Sequence, residues 1–307
     1  MAATTLPPST GTAAIDRDLS FSRGRRWTKN LIMTILMGAS VAIVGFVLVL
    51  VMITLVQKGL SIVVSDFPKW FTTDIPLTAR REGPGMKAAI VGTIVITGTA
   101  MLMAVPVGVL GAIFLNEYGR NSAFARVLRF MANVMAGVPS IVVGLFIYVF
   151  WVSPRGTNGL NGFSGALALA CLMLPIVVRA SEEMLRLVPQ DLRDASYALG
   201  GSRSRTTIQV VLPKAAPGII SGCLLAVARA AGETAPLIFT IGAAKKTNWG
   251  VFSDANTSLS MQIYGNAKET FSPAQERAWG AALTLILLAF AATLVARLVA
   301  ARLSRTR

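Results

Sequence analysis

Leu31 to Val56 is a run of 26 residues without a charge, and five more long apolar runs follow it in the same chain. A helix needs about 20 apolar residues to cross roughly 30 Å of hydrocarbon. The other runs are Ala88 to Leu115, Phe130 to Val152, Gly162 to Val178, Ala215 to Ala244 and Ala278 to Ala296, of which Gly162 to Val178 is at the short limit. Only 14% of the 307 residues are charged and 54% are hydrophobic, against about 25% charged in soluble domains. There is too little polar surface for a shell facing water. The chain therefore reads as an all-α, polytopic membrane protein with six transmembrane helices. The first run follows Arg23, Arg25, Arg26 and Lys29 as a signal peptide would, but it exceeds the 7 to 15 residues of a signal core. It is read as a retained span.

Six spans place both termini on one side. Grouping the amino-terminal tail, Asn116 to Arg129, Arg179 to Lys214 and the carboxyl-terminal tail collects 18 of the 29 Lys and Arg, against 10 in the opposite loops. By the positive-inside rule both termini are expected in the cytoplasm. Residues 1–28, which open on a segment rich in Ala, Thr, Ser and Pro, are expected to form a disordered tail, 29–303 the membrane domain and 304–307 a short cytoplasmic tail. The formal charge of +15 is read as topology and attraction to anionic lipid headgroups. Nucleic acid is not expected as a partner, since no soluble basic face is available.

Scarcity narrows the chemistry. The chain has no histidine and only two cysteines, Cys171 and Cys223, in different spans, so zinc, haem and iron-sulfur sites lack ligands and no metal or cofactor is expected. Each thiol is read as a small hydrophobe. The spans hold one carboxylate, too few for an acid-base pair, and no Gly-x-x-x-x-Gly-Lys-[Ser/Thr] motif occurs. No catalytic residue is assigned.

That carboxylate is Glu233, in the fifth run, and Arg229 is the only other charge between Ala215 and Ala244. An arginine at the centre of a membrane helix costs about 2.5 to 3.5 kcal/mol on insertion scales. At four-residue spacing the two can pair on one helix face. Either the pair only fixes helix packing or it marks a transport path, with Gly232 and Thr234 between and beside the charges. Gly218, Gly222, Ala226 and Ala230 form a ridge of small residues on which another helix can pack. Pro236 cannot donate to the carbonyl of Gly232 and suggests a hinge. Pro106, Pro139 and Pro175 are hinges or packing features, and Thr93, Thr97 and Thr99 line a path or bond back to their own helix or its neighbours.

The loop from Arg179 to Lys214 alternates Glu182, Glu183, Asp191, Arg193, Asp194, Arg203 and Arg205 with Leu185, Leu187, Leu192, Ala195, Ala198 and Leu199. This suits short amphipathic helices, the second starting near Asp191 after Pro189 and stopping at Gly200 and Gly201. Leu192, Ala195 and Leu199 fall on one face. Asp194-Ala195-Ser196, three residues, Gly200, nine residues and Val210-Val211-Leu212-Pro213 resemble the loop of ABC-importer permeases: Glu-Ala-Ala, three residues, Gly, nine residues, Ile-x-Leu-Pro. Gly137 to Leu145, Leu174 to Leu185 and Arg229 to Thr234 further resemble the PstA-type permeases of phosphate-specific ABC importers, over about Met86 to Arg297.

The resemblance implies that Asp194, Ala195, Ser196, Gly200, Leu212 and Pro213 belong to a knob that docks on an ATPase subunit. It also implies a second permease subunit, two ATPase subunits and an extracytoplasmic phosphate-binding protein in a bacterial plasma membrane. Arg229 offers the fork that a phosphate ion needs, and Glu233 would compete for it and release the ion. The loop from Lys245 to Arg277 either receives the binding protein or covers helix ends. Sulfate or molybdate is the alternative substrate, and a self-contained secondary transporter or channel the alternative class.

Overall fold

The computed structural model describes residues 25–80, 83–119 and 122–305. Most of the expected amino-terminal tail, and the last two residues of the carboxyl-terminal one, lie outside the described residues. The chain divides after Thr54 into two units. In the first, helix α1 (Arg25–Ser65) begins within the expected tail. Val41, Val44 and Phe46 along it are 74%, 68% and 67% exposed, a surface suited to lipid.

Among the described residues every regular element is helical. Six helical stretches are long and apolar enough to cross a membrane: Trp27–Ser65, Lys87–Tyr118, Ser140–Gly159, Gly162–Arg186, Arg203–Ala231 and Ser272–Val295. The number of spans is the expected one. Two of them differ in kind from a single straight helix.

The third run is split. Helix α4 (Ala123–Gly137) follows α2 (Lys69–Thr72) and α3 (Lys87–Ile113), and it is capped by Ser122, whose side chain accepts from the Ala125 amide. It stops where Pro139 crowds the residue before it and forces Val138 to φ −71°, ψ 130°. Helix α5 (Ser140–Ile147) then starts afresh and runs on through a π-turn, Tyr148–Val152, and a 3-10 segment, Ser153–Gly159. Pro106 in α3 and Pro175 in α6 (Gly162–Arg186) sit inside helices that continue past them.

The fifth run is split as well. Beyond α7 (Gln190–Ala198), α8 (Arg203–Thr206), a π-turn and α9 (Leu212–Ala231) follow without interruption to Gly232, and α10 (Ala235–Thr240) begins after a break. Pro236 does not kink a continuous helix as expected. It occupies the first turn of α10, where a missing N–H costs nothing.

In the second unit α6 lies between α3 and α9. Ile96, Ala100 and Ala104 of α3 share a core with Leu169, Met173 and Val177 of α6 and Ile219, Cys223 and Ala226 of α9. The small-residue ridge makes this possible: a Cβ at Gly222 would lie 2.5 Å from the Ala180 Cβ. Thr93 and Thr99 bond back to the carbonyls of Ala89 and Val95 at 2.8 Å, which satisfies their hydroxyls within the helix. Neither hydroxyl needs a water path.

Part of the loop at 245–277, expected to receive a partner or to cover helix ends, is buried within the protein. Asn256, Thr257 and Ser258 are no more than 1% exposed, and the Leu259 amide donates to the Thr93 hydroxyl at 2.9 Å. Helix α11 (Leu259–Ala267) then leads to α12 (Ser272–Arg305), which runs past the expected end of the membrane domain at 303.

Candidate functional site

Both helix breaks open on one cavity of about 230 Å³, lined by Val138, Pro139 and Ser140 at the first break and by Arg229 and Glu233 at the second. Leu172, Met173 and Ile176 of α6 form its floor. A Cβ at Gly144 would sit 2.6 Å from the Pro236 Cα, so α5 and α10 meet backbone to backbone beside the cavity. Only glycine permits that approach.

The charges are placed by helix ends. Arg229 is in the last turn of α9, where the unpaired carbonyls favour a cation, and Glu233 lies just before α10, where free amides favour an anion. Glu233 is therefore outside the helix that carries Arg229, contrary to the shared-face expectation. The backbone turn still brings the Arg229 Nε within 3.7 Å of the Glu233 Oε1. That is an ionic contact beyond hydrogen-bond length. The Arg229 side chain is 69% exposed and the Glu233 side chain 21%, so the guanidinium retains donors for a second partner. Gly232 and Thr234 form the break without lining the cavity: the Gly232 amide donates to the Arg229 carbonyl, and the Thr234 carbonyl accepts from Leu237 and Ile238. Ser260, in the first turn of α11, donates to the Glu233 carbonyl at 2.9 Å. The break is thus held from both sides.

The residues of the loop expected in the cytoplasm form a second locus. Its start differs from expectation, because α6 continues to Arg186 and takes Arg179, Glu182 and Glu183 with it. Helix α7 carries Asp194, Ala195 and Ser196 and ends at Leu199. Gly200 has φ +80°, its amide donates to Tyr197, and the Gly201 amide donates to Ser196, the Schellman arrangement that glycine accepts without strain. Leu192 and Ala195 face solvent, as does Leu199, which is 90% exposed. Asp194 accepts from Gln190 at 3.1 Å, and the Ser196 hydroxyl bonds Thr206 at 2.8 Å across the glycine turn. Leu212 and Pro213 open α9, but the helix reaching the membrane already begins at Arg203.

Two ionic centres escaped the sequence reading. Arg193 and Glu117, respectively 7% and 6% exposed, pair at 2.9 Å. Glu182 receives Arg129 at 2.7 Å and Arg186 at 2.6 Å on one oxygen. Sequence alone places Glu117 and Arg129 in the loop 116–129 and Glu182 and Arg193 among the charges of short amphipathic helices. Arg193 on the α7 face opposite Leu199 was the available signal, but its partner 76 residues away was not. Among the described residues no group of three or more Cys, Asp or Glu side chains is arranged to hold a metal.

Comparison with known proteins bears on the chain as a whole. The phosphate transport system permease protein PstA 1 of Mycobacterium tuberculosis is 38% identical over 303 residues, spanning 96% of this chain and 97% of that protein. PstA of Haemophilus influenzae is 38% identical over 273 residues, spanning 89% and 94%. A bacterial ABC transporter that imports the acidic polysaccharide alginate contains a chain that superposes with a TM-score of 0.58 at 13% identity, covering 91% of this chain and 99% of that one; this likeness establishes the fold. Residues 104–305 match the binding-protein-dependent transport system inner membrane components. The chain belongs to that family and, within it, to the PstA-type permeases.

Proposed function

We propose that this chain is the permease subunit of an ATP-driven phosphate importer and that phosphate passes the cavity between the two helix breaks. The single observation carrying the path is the Arg229 guanidinium, more than half exposed, in a cavity flanked by the start of α5. Ser140 opens α5 there, and the amides at a helix start attract anions as the guanidinium does. Glu233 keeps the site from holding its anion tightly, because a site that conducts must also release. The choice of phosphate rests on full-length likeness to permeases named for phosphate transport.

The remaining parts of the reading follow from the loop. α7 presents Leu192, Ala195 and Leu199 to a groove on a separate ATPase subunit, and Gly200 sets the angle of that knob. Closure of two ATPase subunits would turn the path outward to accept phosphate from an extracytoplasmic binding protein, and hydrolysis would return it inward. A second permease subunit, similar but not identical, completes the path. Both termini face the cytoplasm.

The test is uptake of radiolabelled phosphate by the complex purified in mild detergent and reconstituted with ATP inside the liposomes. ATP-dependent phosphate uptake that excess sulfate or molybdate does not suppress is the expected result. Uptake of sulfate or molybdate in its place would overturn the substrate. Loss of uptake in Arg229→Gln, with assembly intact, would place the path.

A further inference from the structure

We propose that Glu117 and Arg193 are a positioning pair that ties the α7 knob to α3, so that a push on α7 turns α3, α6 and α9 together. The proposal rests on the reading of α7 as the docking helix. A load on the exposed face of α7 meets, on the opposite face, the buried Arg193 guanidinium. That group donates to the Glu117 Oε1 at 2.9 Å and to the carbonyls of Val188 at 2.6 Å and Leu185 at 3.0 Å. It thereby joins α7 to the π-turn Phe114–Tyr118 that ends α3, and to the end of α6.

The far side of the glycine turn grips the same residue. Arg203, at the head of α8, donates to the Glu117 carbonyl and lies 5.2 Å from the centre of the Tyr118 ring. Glu117 is therefore held by its side chain from α7 and by its carbonyl from the helix that becomes α9. Asn116 adds a bond to the Glu117 Oε1 at 2.7 Å. A buried ion pair is seldom a better source of stability than an apolar contact of the same size. What it supplies is direction: a guanidinium fork bonded to fixed acceptors resists sliding. Without it, motion of the knob would reach α3 only indirectly, through Arg203 and the core shared with α6 and α9.

The experiment compares phosphate uptake with ATP hydrolysis in assembled complexes carrying Glu117→Gln, Arg193→Gln or Arg193→Lys. Glu117→Gln keeps shape and removes charge. Phosphate moved per ATP should fall by at least about fivefold in both glutamine variants, the low end of ordinary coupling between sites, while hydrolysis continues. Arg193→Lys, which keeps the charge, should recover part of the ratio. An unchanged ratio in both glutamine variants would overturn the proposal, as would failure of Glu117→Gln to assemble, since the pair would then serve folding alone. If the unaltered chain does not co-purify with the ATPase subunit, it is the docking reading of α7 that fails.

Discussion

Arg229 holds a charge where an apolar run would otherwise continue, and its neighbours show why the charge is tolerated: a helix end, a nearby carboxylate and an open cavity. Arg229→Gln should lower ATP-driven phosphate uptake by about 10²-fold, the scale of losing one donor to a charge stabilised in transit, and Glu233→Gln should slow turnover without preventing assembly. The exchange Arg229→Glu with Glu233→Arg separates a packing pair from a path. It keeps the attraction but moves the guanidinium out of α9 and into the break; near-normal uptake, normalised to assembled complex, would favour packing. Glu182 is a different case, because one of its oxygens serves both Arg129 and Arg186. Glu182→Gln should destabilise the protein by about 3 kcal/mol, the lower end for breaking a buried pair, since Arg186 remains 57% exposed. Loss of monodisperse protein on heating in detergent measures it.

At the level of elements, the two glycines that set angles should be intolerant for different reasons. Gly200→Val places a β-branched side chain at positive φ, at a cost of about 1 to 2 kcal/mol, and should weaken capture of the ATPase subunit in co-purification while leaving insertion normal. Asp194→Lys should act at the same step through charge. Gly144→Val must push α5 from α10, because its Cβ meets the Pro236 backbone, so uptake should fall more than assembly; equal loss of both would mean that this contact only holds the fold. The elements themselves were largely legible. Uncharged length identified six spans, and Gly200 with Gly201 marked the end of α7 to the residue pair. The breaks were harder, since an apolar run has the same composition whether its helix is continuous or interrupted. Pro139 carried a local signal in the constraint on Val138. In the Gly232 to Thr234 break the Glu233 carbonyl accepts from Ser260, 27 residues away, and no periodicity reports that. The alternation of spans places residues 256–260 in an outer loop, and it does not report their burial or the bonds of Ser258 with Ser260 at 3.0 Å and of Gln262 with Thr257 at 2.9 Å.

At the scale of the whole molecule, Arg203 to Ala231 is one 29-residue helical stretch, about 43 Å at 1.5 Å per residue. It joins the glycine turn after α7 to the cavity through the π-turn at Thr207–Val211. The purified chain reconstituted alone should move no phosphate under a proton or sodium gradient, and uptake should appear only when its partners and ATP are added. Gradient-driven uptake by the single chain would instead establish a self-contained transporter. The exposed flank of Arg229 has a further consequence for how such a complex is built. If a second permease supplies the facing wall, as proposed, a copy inserted ahead of its partners offers an anion an attractive charge but no enclosed conduit. On that reading a half-made importer does not leak, because the path closes only when both walls are present.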